Sequence, residues 1–187
     1  MNDIKTALRF FIVLTVLTGI VYPLAVTAVS QAAMPDKANG SLIVENGQVV
    51  GSRLIGQNFT EPGFFWGRPS ATADKPYNAA ASSGSNLGPT NPDLRKQIDE
   101  RVQALRKADP SNAQLVPTDL VTSSGSGLDP DISVEAALYQ VPRVARARGA
   151  DRADVAKLVE KHTLRRQLGI LGEPRVRVLE LNLDLDK

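Results

Sequence analysis

The most prominent feature of the hydrophobic pattern is an uncharged stretch near the N-terminus. Residues 10–34 contain no charged side chain, and residues 10–29 are mostly apolar. A helix needs about 20 such residues to cross the hydrocarbon core of a bilayer. The pattern therefore predicts a transmembrane helix over residues 10–30. It separates a short N-terminal segment, residues 1–9, from a water-soluble domain, residues 31–187.

Charges on either side of this span predict its orientation. Lys5 and Arg9 precede it against only Asp3, whereas Asp36 and Lys37 cancel after it. Because positive flanks favour the cytoplasmic side, we expect a cytoplasmic N-terminus and an external domain. A cleaved signal peptide is the alternative. It would leave a secreted binding module, although the span exceeds the usual apolar length of about 7–15 residues in such signals.

Inside the span, small residues indicate a packing face. Thr15 and Gly19 lie four residues apart, so both fall on one side of a helix and allow close approach of another helix. A lipid-facing helix with incidental small residues is the alternative. Pro23 is expected to kink the helix.

The soluble part shows short strand patterns and three helix patterns. Asn46-Gly47 between β-branched runs predicts a hairpin. Asn91 begins a helix that ends near residue 108, and Asp151 begins another. Between them, Ser133 begins a helix that Gly149 should end and that Pro142 should kink or interrupt. Apolar residues alternate over residues 175–185, which predicts a half-buried strand. Together they indicate an α/β (α+β-like) domain with a small mixed sheet.

A long segment without periodicity, residues 56–92, is rich in Gly, Pro, Ser and Asn but also holds most of the aromatic residues outside the span. Disordered linkers are poor in aromatics, so we expect long ordered loops. The rings serve either a functional surface or the core of a small domain. They are Phe59, Phe64, Phe65, Trp66 and Tyr77.

Composition excludes much ordinary chemistry. The chain has no cysteine and one histidine, so disulfides, thiolate metal sites and multi-histidine zinc sites are disfavoured, and we expect no bound metal. With 22 basic and 20 acidic residues, it lacks the basic excess of a nucleic-acid binder. The phosphate-loop, nucleophile-elbow and zinc-protease motifs are also missing from the sequence.

Three stretches of small polar residues carry a family resemblance. They are Arg68-Pro-Ser-Ala, Gly84-Ser-Asn-Leu-Gly-Pro and Ser124-Gly-Ser-Gly-Leu-Asp-Pro. Behind one N-terminal span, and with Val116-Pro-Thr-Asp-Leu-Val-Thr and the closing Gly172-Glu-Pro-Arg-Val, this order resembles the KdpC family, the small accessory chains of the Kdp-type potassium-transporting ATPase of bacteria. Ser83 and Arg177 depart from the expected pattern, and Arg177 puts any side-chain role at that position in doubt.

The resemblance implies a non-catalytic accessory subunit of an ATP-driven potassium uptake complex in the bacterial inner membrane. Its implied partners are a channel-like subunit that handles K⁺, a P-type ATPase subunit and a further small membrane subunit. The chain itself lacks both the phosphorylated Asp-Lys-Thr-Gly and the filter Thr-Val-Gly-Tyr-Gly, so no catalytic residue is expected. The family is described as a catalytic chaperone that raises the ATPase subunit's affinity for ATP, the one implied cofactor. An external domain fits assembly better than direct ATP contact.

We expect the loops to form a polar, turn-rich surface that docks on the channel-like subunit. The alternative is that these residues only bond to one another inside the domain. The candidates are Gln57, Arg68, Ser70, Tyr77, Asn78, Ser85, Asn86, Asp119, Ser124, Ser126 and Asp129.

A different class of function is an anchored, exported hydrolase. It would use Ser124 or Ser126 as nucleophile with Asp129 and His162, although His162 is expected on an exposed helix face.

Overall fold

The computed structural model describes residues 2–186, which fall into two compact units, residues 1–50 and 51–187. The outer ends of the predicted N-terminal segment and of the predicted domain, at positions 1 and 187, lie outside the described residues. The elements of the first unit are α1 (Asn2–Val16), a π-helical turn (Leu17–Val21), α2 (Tyr22–Ala33), α3 (Pro35–Ala38), β1 (Leu42–Glu45) and β2 (Gln48–Ser52), which ends just past the boundary.

The second unit combines four longer helices with a three-stranded sheet. Its elements are a 3₁₀ turn (Ala79–Ala81), α4 (Pro92–Ala108), a second 3₁₀ turn (Thr118–Leu120), β3 (Asp131–Ser133), α5 (Val134–Arg148), α6 (Arg152–Lys161), β4 (Thr163–Leu164), β5 (Arg175–Arg177) and α7 (Val178–Leu185).

In the first unit, α1, the π-helical turn and α2 form one helix that is long and apolar enough to cross a membrane. It covers Asp3–Ala33, and its most apolar window has a mean hydropathy of 2.2 and no buried residue. Pro23 has no N–H to give to the carbonyl of Gly19, and the wider π-helical turn lies directly before it, where Tyr22 N–H donates to Leu17 O. A Cβ built on Gly19 would meet no atom within 4 Å.

The hairpin prediction is confirmed. Asn46 and Gly47 connect β1 to β2 with φ values of 50° and 78°. Both residue types tolerate this left-handed region, which a tight hairpin turn requires at both central positions.

Helix starts in the second unit follow the predicted caps. Asn91 accepts from the N–H of Asp93 at 2.8 Å, and Ser133 accepts from the N–H of Ala136 at 3.0 Å. Of the kink or interruption expected at Pro142, the interruption is wrong, because α5 runs continuously through this residue to Arg148. This helix is buried along most of its length, and its packing outweighs the hydrogen bond that proline removes.

The fold class is confirmed, with two corrections. The pairings β3–β5 and β5–β4 are both antiparallel, so the sheet is not mixed. Only Arg175–Arg177 of the predicted C-terminal strand is extended, and α7 follows it directly. The buried positions Val178, Leu179, Leu181 and Asn182 occupy one helical face, which the alternating leucines of the sequence conceal.

Residues 62–66, which we call the aromatic segment, are held in place by side chains of two helices that bond to their backbone. Asn182 of α7 accepts from the N–H of Phe65 at 2.8 Å and donates to its carbonyl at 2.9 Å. Gln140 of α5 does the same for Trp66, at 2.8 and 3.1 Å. Both amide side chains are almost fully buried, and so is Phe65. Phe65 therefore belongs to the core, which confirms one of the two interpretations of the rings.

Two arginines of α5 extend this attachment. Arg143 donates to the carbonyls of Pro62 and Phe64 at 2.6 and 3.0 Å, with its guanidinium 4.2 Å from the Trp66 ring centre. Burial lowers the pKa of Arg143 to about 10. Arg148 donates to the carbonyl of Gly63 at 2.6 Å.

We expect Asn182→Ala to lower the free energy of unfolding by about 2–4 kcal/mol, since two buried backbone groups of Phe65 lose their partners. Urea unfolding of the detergent-solubilised chain would measure this. Gln114→Ala, which removes an exposed amide, is the matched control. Equal stability of the two variants would contradict the role given to Asn182.

Candidate functional site

Three loops of the second unit meet in what we call the loop cluster, residues 68–90 and 118–131. Its central contact joins Arg68 to Asp129, with 3.1 Å between the guanidinium and the carboxylate. Arg68 also donates to the carbonyl of Ser123 at 3.4 Å. The Arg68 Nε lies buried without a hydrogen-bond partner. This ion pair ties the first predicted stretch to the third.

Ser70 closes the first loop upon the third. Its hydroxyl donates to the carbonyl of Gly127 at 2.7 Å and accepts from the N–H of Tyr77 at 2.9 Å. The neighbouring Thr72 accepts from the N–H of Asn78 at 3.1 Å. Hydroxyls thus replace a strand partner for this part of the backbone.

Tyr77 occupies the inner side of the cluster in a left-handed conformation, with φ 57°. Its hydroxyl donates to the carbonyl of Arg68 at 2.6 Å. A Cβ at Gly56 or Gly67 would lie 2.4 or 2.7 Å from atoms of Tyr77, so both positions require glycine. Burial, and then the charge of Asp129, raises the pKa of Tyr77 to about 12.

The serine- and glycine-rich second and third loops pack backbone against backbone. The N–H of Ser83 donates to the carbonyl of Ser126 at 3.0 Å. Gly127 has φ 68°, and a Cβ there would lie 2.7 Å from the carbonyl of Ser83. Ser124 accepts from the N–H of Gly127 at 2.9 Å. Small residues are therefore required for the two loops to approach.

The two predicted aspartates cap turns. Asp129 accepts from the N–H of Asp131 at 3.0 Å, as its place before a proline predicts. Asp119 accepts from the N–H and hydroxyl of Ser133, at 2.7 and 3.2 Å, and so positions the start of α5.

The remaining candidates lie around this core of the cluster. Asn78 caps the 3₁₀ turn by accepting from the N–H of Ala80 at 3.1 Å. Asn86, with φ 54°, and Ser126 are exposed, whereas Ser85 is half-buried. Gln57 lies outside the cluster and lines a neighbouring cleft. The loop residues thus bond to one another, as the alternative interpretation requires, and leave a smaller exposed face.

The cleft beside the cluster has a volume of about 310 Å³. Its walls are mainly apolar, with Arg68 and Arg101 among the polar groups. The apolar lining includes Phe59, Trp66, Pro69, Tyr77, Leu105 and Leu120.

Arg101 is a site residue that the sequence reasoning missed. It donates to the carbonyl of Val121 at 2.8 Å, and burial lowers its pKa. Helical spacing could have identified it, because Arg101 lies three residues after Ile98 and four before Leu105. It is therefore on the apolar side of α4, which faces the domain.

The hydrolase alternative is not supported by the geometry. His162 Nε2 lies 2.8 Å from Asp184, and the histidine is mostly buried rather than exposed. Ser124 and Asp129 are engaged with Gly127 and Arg68 instead. Within residues 2–186, no group of three or more acidic or histidine side chains is arranged to hold a metal ion.

Comparison with known proteins decides between the remaining classes. A model of the KdpC family, described as "K+-transporting ATPase, c chain", matches residues 4–187. The chain belongs to the KdpC family. The KdpC subunit of the potassium-transporting ATPase of Variovorax paradoxus is 60% identical over 99% of this chain and 96% of its own length. That of Dechloromonas aromatica is 56% identical over 98% and 96%. The KdpC subunit of Herpetosiphon aurantiacus is 57% identical over 98% and 95%.

Membership confirms the resemblance found in the loop motifs. A KdpC chain is an accessory subunit of the potassium-transporting ATPase complex and not the catalytic one. The candidate membrane-spanning helix is consistent with a subunit of a membrane complex.

The buried hydroxyl of Tyr77 predicts a loss of stability in alkaline solution. In the unfolded chain this tyrosine ionises near pH 10, whereas in the fold it keeps its proton up to about pH 12. The unfolded state therefore binds fewer protons in this window, and the free energy of unfolding falls as the pH rises. Below pH 10, Tyr77→Phe should cost about 1 kcal/mol for the lost hydrogen bond.

The parent chain should have a higher free energy of unfolding than Tyr77→Phe below pH 10, and this difference should become smaller as the pH increases from 10 to 12. Denaturant unfolding of both proteins at several pH values would measure the difference, in which the titration of Lys and other groups cancels. A difference that stays constant across the window would contradict burial of this hydroxyl.

Proposed function

We propose that this KdpC-family chain supports assembly of the potassium-transporting ATPase from the outer side of the bacterial inner membrane. The observation that carries the orientation is the charge asymmetry around the span, with Lys5 and Arg9 before it and a cancelling Asp36–Lys37 pair after it. In this arrangement residues 1–9 are cytoplasmic, and the domain is external.

The topology can be tested by labelling, because the chain contains no cysteine of its own. Leu115 is 87% exposed, so Leu115→Cys should react with a membrane-impermeant maleimide in cells whose outer membrane has been made permeable. Lys5→Cys should react only after lysis. The reverse pattern would show that the domain is cytoplasmic.

Within the complex, we propose that the exposed face of the loop cluster docks on the channel-like subunit, which handles K⁺. Hydrogen bonds among the loops already offset their ordering entropy, so the face is preformed and little order has to be gained on binding. Asn86, Gly125 and Ser126 are exposed on this face. The apolar cleft lined by Phe59 and Trp66 lies beside the loop cluster and adds the aromatic surface that interface centres favour.

Gly125 offers a steric test of docking. A Cβ at this position would meet no atom within 4 Å, so a large side chain can point outward without disturbing the fold. We expect Gly125→Trp to weaken association with the partner subunits by roughly 1–3 kcal/mol, the usual cost of forcing extra bulk into a well-packed contact. Co-purification from detergent-extracted membranes would measure it.

Leu115→Trp is the control, since it places the same ring at another exposed position. Both variants should unfold at the temperature of the parent chain. Normal recovery of partners with Gly125→Trp would reject this face as the docking site. A lowered unfolding temperature would instead assign Gly125 to the fold.

The ATP-related role follows from this arrangement. With the domain outside and ATP inside, we infer that the chain affects nucleotide affinity through the assembled complex rather than by contact. The anchor would pack beside the channel-like subunit, with Thr15 and Gly19 facing it. The small side chains at these two positions, on one side of the helix, would allow another helix to approach closely.

A further inference from the structure

The segment that joins β4 to β5 exposes more apolar surface than its own fold requires. We call residues 165–173 the apolar finger. Leu168 is 89% exposed, Ile170 74% and Leu171 54%. Three neighbouring aliphatic side chains in water lose the free energy that burial would supply, so their presence at one tip indicates a surface that covers them.

The backbone at the tip adds a second cost. Leu168 and Gly169 have φ values of 54° and 77°. Asn46 and Gly47, in the turn between β1 and β2, have nearly the same values, 50° and 78°. Asparagine is a favoured residue at the first of these positions, whereas a bulky leucine is strained there. The chain therefore keeps an exposed leucine where a polar residue would suit the turn better.

Hydrogen bonds within the finger nevertheless pair most of the backbone groups at its tip. The N–H of Gln167 donates to the carbonyl of Leu171 at 2.8 Å, and the N–H of Leu171 donates back at 2.9 Å. The N–H groups of Gly169 and Ile170 also donate within the turn, at 3.3 and 3.2 Å. Such pairing matters for entry into lipid, where water is not available to unpaired backbone groups.

The base of the finger is basic. Arg165 and Arg166 precede the tip and Glu173 follows it, so residues 165–173 contain two basic side chains and one acidic one. Arg166 is bonded to Glu173, whereas Arg165 is exposed. The exposed Arg165 at the base of a short aliphatic tip matches a lipid surface, with a phosphate at the level of the arginine and hydrocarbon beyond.

We propose that the apolar finger inserts its Leu168–Leu171 tip into the membrane that holds the anchor helix. The tether between the anchor and the second unit is only residues 34–50, so insertion is intramolecular and needs little affinity of its own. A single small tip suffices for such a contact. The proposal rests on membrane anchoring alone and does not depend on docking or on which side the domain lies.

The test uses the full chain reconstituted in phosphatidylcholine vesicles, with and without phosphatidylglycerol. Gln167→Cys places an environment-sensitive nitrobenzoxadiazole dye at the tip of a chain that has no other cysteine. We expect emission shifted to shorter wavelength and loss of quenching by aqueous iodide, with a larger shift when phosphatidylglycerol is present. The same dye at Leu115→Cys should remain quenchable.

Leu168→Asn is the matched variant. It keeps the left-handed turn, as Asn46 shows, but removes the apolar tip, so it should restore iodide quenching at Gln167→Cys without lowering the unfolding temperature. Quenching at the finger equal to that at Leu115→Cys would overturn the proposal. A shift that appears only with the partner subunits present would assign the tip to a protein groove. An emission shift that increases with the protein-to-lipid ratio would show that the tip contacts a second copy of this chain instead.

Discussion

The second unit depends on one constraint: no strand of residues 2–186 pairs with the aromatic segment, yet the backbone of this segment passes through the core. Buried N–H and carbonyl groups without partners would cost more than the rings gain. Asn182 and Gln140 resolve this by presenting their amides to Phe65 and Trp66 as a neighbouring strand would. Two side chains therefore allow a loop to act as a core element.

This solution also fixes where the loop cluster begins. The segment held by α5 and α7 leads directly into Arg68, whose guanidinium meets Asp129 in the third loop. Asp119 in turn bonds to Ser133 at the start of α5. The helix that holds the aromatic segment and the loops that continue from it are thus connected in a closed circuit of polar contacts. A substitution that breaks a contact in one loop should therefore alter the positions of the other loops.

The sequence predicts what local chemistry determines. The caps at Asn91 and Ser133 and the turn at Asn46-Gly47 need only neighbouring residues, and all are found. The Gly/Ser stretches and the aromatic content correctly indicate ordered loops. What fails depends on distant partners. Period-two leucines cannot reveal that Asn182 is buried against Phe65 and that this register requires a helix.

The same limit applies to the candidate site. Residue type identifies Arg68 and Asp129 as candidates, but only the fold shows that they neutralise each other. The glycines at 56 and 67 look like ordinary loop residues until the ring of Tyr77 is placed against them.

Groups with strongly perturbed pKa values often mark catalytic centres. Here burial raises the pKa of Tyr77, lowers that of Arg143 and raises that of Asp131. Each of these groups has a partner within the domain. Tyr77 donates to the carbonyl of Arg68, Arg143 donates to the carbonyl of Pro62, and Asp131 pairs with the guanidinium of Arg175. The groups with perturbed pKa values thus stabilise the fold, which agrees with an accessory subunit that is not the catalytic one.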